Sequence, residues 1–178
     1  AGKAKSPHML VMSATPIPRT LAQAVNGDLD VSILDEKPAG RKPVETRALP
    51  DTRMDEVVDA VGRAISRGER VFWVCPKVEV DDDDSTAVGR HAMISKQLNV
   101  PVGLVHGRLK AAEKDSALEN FRTGATRVLV ATTVIEVGVD VPEATIMVIE
   151  RAEGFGLAQL HQLRGRVGRG DKPSYCLL

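Results

Sequence analysis

Short apolar runs alternate along this chain with longer stretches whose apolar residues recur every three or four positions. Val71-Phe72-Trp73-Val74-Cys75 is apolar without a break, a pattern suited to a strand covered on both faces. That coverage makes Trp73 a core residue, with base stacking the alternative. Thr52 to Arg67 instead carries Met54, Val57, Val58, Val61, Ala64 and Ile65 at helical spacing. Thr52 with Asp55 is placed to form a capping box at its start, and Gly68 suits its end. The same pattern predicts strands at Val44 to Leu49, Val102 to Val105, Arg127 to Ala131, Thr145 to Ile149 and Ser174 to Leu178. Helices are expected at Thr86 to Leu98 and at Ala111 to Phe121, the latter closed by Gly124. Strand-helix alternation implies an α/β fold, an open and mostly parallel sheet with right-handed crossovers and helices on both faces.

The stretch ahead of this pattern reads differently. Met9-Leu10-Val11-Met12 is a short apolar strand running into Ser13-Ala14-Thr15-Pro16, and Pro16 and Pro18 prevent its simple continuation. Glu36 to Pro43, EKPAGRKP, has a linker's composition. The domain boundary is therefore expected there: a tail over 1–35, a linker over 36–43 and a main domain over 44–178. Val31 to Glu36 resembles a Walker B strand, but the sequence holds no GxxxxGK followed by Ser or Thr, so Asp35 and Glu36 are read as hinge residues.

Net charge is zero over 178 residues, which by itself says nothing about nucleic acid. Its distribution says more. From Arg151 onward five basic residues (Arg151, Arg164, Arg166, Arg169, Lys172) face two acids (Glu153, Asp171), five minus two, a surplus of +3. The acid is concentrated instead at Asp81 to Asp84, read as a solvated loop because it lacks the glycine and distal glutamate of a calcium loop. Aromatic residues make up 3%, too few for binding single strands mainly by stacking. Cys75 and Cys176 lie in apolar runs without ligand spacing and read as two buried free thiols, with a disulfide the alternative. No signal peptide or membrane span is evident, and the expected location is cytoplasmic.

Parallel sheets gather ligand groups at the carboxyl ends of their strands, and three segments are candidates for that position. His106-Gly107-Arg108 follows one strand; its glycine admits close approach of backbone amides to a phosphate, Arg108 adds charge, and His106 receives no acid-base role. Thr132 and Thr133 end another strand, where hydroxyls can donate to phosphate oxygens of nucleic acid. Beyond them Gly138 clears room, and Asp140 can accept from a ribose hydroxyl or orient an arginine. The third segment is Gln159 to Gly170, QLHQLRGRVGRG. As one helix it would align Gln159, Gln162, Arg166 and Arg169 on a single face and set Leu157, Leu160, Leu163 and Val167 on another, as core anchors. Gly165 and Gly168 thin the helix beside the two arginines, whose forked guanidiniums suit a cluster of phosphate oxygens. Nothing resembles a nucleophile-base pair, a metal cage or paired catalytic carboxylates. Such a chain offers phosphate clamps without the chemistry they would assist, half of an active site completed across a cleft.

These strings resemble the motifs of superfamily 2 helicases. QLHQLRGRVGRG (159–170) resembles their arginine motif VI, VLVATTVIEVGVDVP (128–142) their motif V and MSATPIPRTLA (12–22) their motif III, while VFWVCPKVE (71–79) occupies the place of motif IV. The order is the family's and covers nearly the whole chain. Within the family the hinge LDVSILDEKPAGRKPVETRALPDTR and VGLVHGRLKAAEKD are closer to helicases that act on branched DNA than to transcription-repair coupling translocases. The resemblance implies a RecA-like second motor domain, preceded by a short tail of the first. ATP and Mg2+ would bind between the two domains, held mainly by the first, and hydrolysis would drive translocation on branched or duplex DNA. It further implies that Arg166 and Arg169 act as arginine fingers with Gln162 supporting them, and that Gly138 and Asp140 lie near the ribose and a finger arginine. Thr132, Thr133, His106, Gly107 and Arg108 would line the nucleic-acid track, and Ser13 and Thr15 would couple nucleotide state to domain closure. Implied partners are DNA, the first RecA-like domain and a DNA-wedge domain of the same protein, with no membrane. Motifs I and II and the wedge domain do not occur in the sequence, so the chain is expected to be a fragment, inactive by itself. The alternative is a non-catalytic nucleic-acid-binding module on the same scaffold.

Overall fold

The computed structural model describes residues 41–76, 87–132 and 141–178, together with Leu10 and Ser32. Ser13, Thr15, Asp35, Glu36, the run from Asp81 to Asp84, Thr133, Gly138 and Asp140 lie outside the described residues. The chain divides into two units, 1–37 and 38–178, and the sheet with its helices belongs to the second.

Among the described residues six strands form one sheet: β1 (Val44–Arg47), β2 (Arg70–Val74), β3 (Val102–Val105), β4 (Val128–Ala131), β5 (Ala144–Ile149) and β6 (Ser174–Leu177). Their order is β1-β6-β5-β2-β4-β3, and every pairing is parallel. The helices that join them are α1 (Met54–Ser66), α2 (Ala87–Leu98), α3 (Ala111–Thr123) and α4 (Leu157–Arg164). The strand period of two sends alternate side chains of β2 and β4 into separate cores. Val71, Trp73, Val128 and Val130 pack with Val58, Val61 and Ala64 of α1 and Ile94 of α2. Phe72, Val74, Leu129 and Ala131 pack on the opposite face with Phe121 of α3 and Leu163 of α4. The rings of Phe72 and Phe121 meet tilted, with centroids 4.8 Å apart. Trp73 is fully buried, as its place in an unbroken apolar run requires.

Alternation slips once. Arg70 pairs with Ala144 but Val71 with Ile146, leaving Thr145 as an extra residue in β5. Thr145 is buried, and its hydroxyl donates to the Glu69 carboxylate, which satisfies the polar atom that the bulge carries inward.

Gly68 and Gly124 end α1 and α3, both at φ +85°, a conformation that glycine adopts without a Cβ penalty. The capping box expected of Thr52 and Asp55 is absent. Pro50 launches a 3-10 turn over Asp51–Arg53, closed by Arg53 N donating to the Pro50 carbonyl at 2.9 Å, so Thr52 is already inside a turn. Arg53 takes the cap position without a side-chain capping bond, its guanidinium turning instead to Glu56, while Asp55 and Glu56 sit in the first turn, where the helix dipole favours acids.

Candidate functional site

The arginine segment is not one helix. α4 stops at Arg164, and Gly165 follows as its C-cap. Gly168 then adopts φ +71°, which a right-handed helix cannot contain. Gln159 and Gln162 therefore stand on α4, whereas Arg166 and Arg169 belong to the turn that follows it. The two glycines that were expected to thin a helix end it instead. Leu163 and Val167 are fully buried and Leu160 packs against the same core, but Leu157, at the start of α4, is 86% exposed and anchors nothing.

This turn also stands at the opposite sheet edge from the one expected. The Gly168 Cα faces Val44 and Ser174, the first residues of β1 and β6, and Arg41 Nε donates to the Gly168 carbonyl at 2.9 Å. A Cβ at Gly170 would lie 3.1 Å from the carbonyl of Pro142, two residues ahead of β5. All of these mark the amino ends of parallel strands. The reason is topological: α4 leaves the carboxyl end of β5 and must run back along the sheet before β6 can start parallel to it. Arg169 Nε donates to the Gly165 carbonyl at 3.2 Å, closing the turn across its two glycine-flanked arginines. Arg166 is half-buried and Arg169 exposed.

His106, Gly107, Arg108 and Thr132 do gather at the carboxyl edge. Thr132 N donates to the Val105 carbonyl at 3.1 Å, which sets Thr132 beside the residue that precedes His106. Leu109 N donates to the His106 carbonyl at 3.2 Å, and Lys114 Nζ reaches the Gly107 carbonyl at 3.2 Å. Glu113 Oε2 accepts from Lys110 N at 2.8 Å, fixing the start of α3 directly after the turn. A Cβ at Gly107 would meet nothing within 4 Å, so its backbone is open to an approaching group. The described candidate residues thus divide between two edges of the sheet, separated by strands of four to six residues, roughly 13 to 20 Å.

Sequence reasoning missed a buried polar cluster at the carboxyl edge. Glu150, directly after β5, forms an ion pair with Arg90 of α2, whose Nε lies 2.6 Å away, and accepts hydrogen bonds from Arg90 Nη2 at 2.7 Å, from the Trp73 indole N–H, and weakly from Cys75 Sγ at 3.9 Å. An acid closing the apolar run TIMVIE was the only available signal, and nothing in the pattern assigns it Arg90, 60 positions away. Burial, with Glu150 nearby, pushes the Cys75 thiol far above its usual range. Burial likewise raises Cys176 to about 11, opposed by Arg164. Both thiols are free and buried.

The residues present fit phosphate rather than a divalent cation. Arginines, backbone amides and a hydroxyl provide donors, and no group of three or more His, Cys, Asp or Glu side chains that could hold a metal occurs among the described residues. No helix among them is long and apolar enough to cross a membrane.

The sequence pattern of the helicase conserved C-terminal domain matches residues 52–171. The ATP-dependent DNA helicase RecG of Acidithiobacillus ferridurans is 51% identical over 179 residues, 99% of this chain and 26% of that protein. RecG of Escherichia coli (strain K12) is 52% identical over 176 residues, 97% of this chain and 25% of that protein. The chain therefore spans about a quarter of the length of these curated relatives. A structure of RecG bound to a three-way DNA junction superposes with a TM-score of 0.77 at 51% identity, covering 94% of this chain and 22% of that one. Saccharomyces cerevisiae Dbp5 bound to RNA and ADP BeF3 shares the fold alone, at 19% identity and a TM-score of 0.66 over 93% of this chain and 43% of that one. The α/β RecA-like fold expected from the sequence is the fold of this chain.

Proposed function

The chain belongs to the family of the helicase conserved C-terminal domain, and from that membership we propose that it is the second motor domain of an ATP-dependent DNA helicase that remodels branched DNA. The observation that carries the reading is the arginine turn, two guanidiniums between glycines at the amino edge of the sheet, opposite a separate set of phosphate donors at the carboxyl edge. One domain can then meet two phosphate-bearing ligands at once, nucleotide on one edge and nucleic acid on the other.

ATP supplies the transferable phosphoryl group and, with Mg2+, is held mainly by the first motor domain. Arg166 and Arg169 donate to the triphosphate as that domain closes, stabilising charge that develops on the phosphoryl oxygens. Gln162 supports this face from α4, and Gly138 and Asp140 serve the ribose and the finger arginines. His106, Gly107, Arg108, Thr132 and Thr133 hold the DNA backbone, and Ser13 and Thr15 couple nucleotide state to closure. Branched DNA as substrate is supported by the three-way junction in the RecG structure. This chain alone should hydrolyse no ATP above background, because the phosphate loop lies on the partner domain.

Arg169→Ala in the full-length protein tests the finger role. DNA-stimulated ATP hydrolysis is expected to fall by about a thousandfold or more, the scale of arginine fingers elsewhere, while the domain stays folded. Ordinary turnover by this variant would remove the finger assignment.

A further inference from the structure

We propose that Arg151 is an additional contact for the DNA phosphate backbone, extending the carboxyl-edge track from β3 and β4 to the end of β5. The inference rests on the functional reading above, which places nucleic acid along that edge. Arg151 directly follows Glu150 and is exposed. It adopts φ 49° and ψ 52°, one of two non-glycine residues at positive φ among the described residues. A left-handed arginine is strained and persists only where the surroundings over-determine it. Here they do: Glu150 N donates to the Val74 carbonyl at 3.0 Å on one side, and Gly154 N donates to the Arg151 carbonyl at 2.9 Å on the other. A glycine would relieve the strain at no cost in hydrogen bonds, so what the position retains is the side chain.

Charge points the same way. Six arginines of the described residues are paired with acids: Arg47, Arg53, Arg67, Arg70, Arg90 and Arg122. Arg151 has no such partner there, although Asp51 and Glu150 line a small cleft of about 40 Å³ with it and Glu153 follows two residues on. The adjacent Glu150 is already neutralised by Arg90 and bonded by Trp73. The Arg151 guanidinium is therefore left for a ligand from outside.

The spacing suits a nucleic-acid strand. In the order β5-β2-β4-β3 the ends carrying Arg151 and Arg108 are three strand intervals apart, about 14 Å at about 4.8 Å each. That distance spans about four phosphates of one strand, at about 3.4 Å of axis per charge.

The test measures binding of the full-length protein to a fluorescein-labelled synthetic fork between about 50 and 200 mM salt. Arg151→Asn removes the charge with a residue that tolerates the left-handed backbone, so the fold is spared. It is expected to lower the slope of log K against log salt by about 0.7 to 0.9, one phosphate contact. Arg151→Lys is expected to keep the wild-type slope, as is Arg63→Gln, an exposed arginine on α1. An unchanged slope in Arg151→Asn, or an equal loss in Arg63→Gln, overturns the proposal. A wild-type protein with no salt-dependent affinity for forks would instead overturn the functional reading itself.

Discussion

Replacing Gly168 with alanine strikes the arginine turn without removing an arginine. Gly168 sits at φ +71°, and a Cβ there would lie 2.7 Å from Val44 Cγ2. The left-handed backbone alone costs an alanine about 1–2 kcal/mol. The overlap adds about 1–3 kcal/mol, because Val44 is β-branched and its methyls have little rotameric escape. Gly168→Ala is therefore expected to lose about 2–5 kcal/mol of the roughly 5–15 kcal/mol that hold such a domain folded. Val44→Ala separates the two contributions, since it clears the overlap and leaves the backbone strain. In urea unfolding, the double variant should lose less than the sum of the single losses by about 1–3 kcal/mol, the overlap that is cleared. A Gly168→Ala loss below about 0.5 kcal/mol, or a cycle without coupling, refutes the reasoning. Arg169 is bonded to Gly168 in the chain and moves with it. On the finger role proposed for Arg169, ATP hydrolysis by the full-length protein should therefore fall by about a hundredfold, the scale of an ångström's misplacement of a catalytic group.

The Arg90–Glu150 pair should behave as a buried ion pair, its side chains 20% and 11% exposed. Arg90→Met or Glu150→Leu alone is expected to cost about 3 kcal/mol by stranding the other charge, whereas the double variant should lose far less in denaturant unfolding. A double loss equal to the sum of the singles would show that the charges do not interact. The two cysteines should resist thiol reagents in the native protein at pH 8 and react fully only in denaturant, because burial raises both thiols. Cys176 has its folded value raised from 9.0 to about 11, so the native state holds its proton more tightly than the unfolded chain. Its contribution to stability is complete below pH 9 and is lost as pH rises towards about 11, readable as a falling unfolding midpoint that Cys176→Ser makes shallower, Cys75 supplying the remaining fall.

Most of the fold is legible in the sequence, because an apolar run such as Val71 to Cys75 satisfies its side chains only inside a sheet covered on both faces. Helix ends are legible at Gly68 and Gly124, where left-handed backbone favours glycine, but the same chemistry at Gly168 is masked. There the recurrence of Gln159, Gln162, Arg166 and Arg169 at helical spacing outweighs the two glycines on paper, whereas in the folded chain the glycines prevail. Sequence alone thus determined the layers, the strands and the identity of the candidate phosphate-binding residues, since these follow from side-chain chemistry and local period. Tertiary structure alone decided on which edge of the sheet each residue stands and which acid each arginine meets. Those depend on strand order and on the direction of crossover helices, which join residues such as Arg90 and Glu150 across distances along the chain that no local pattern records.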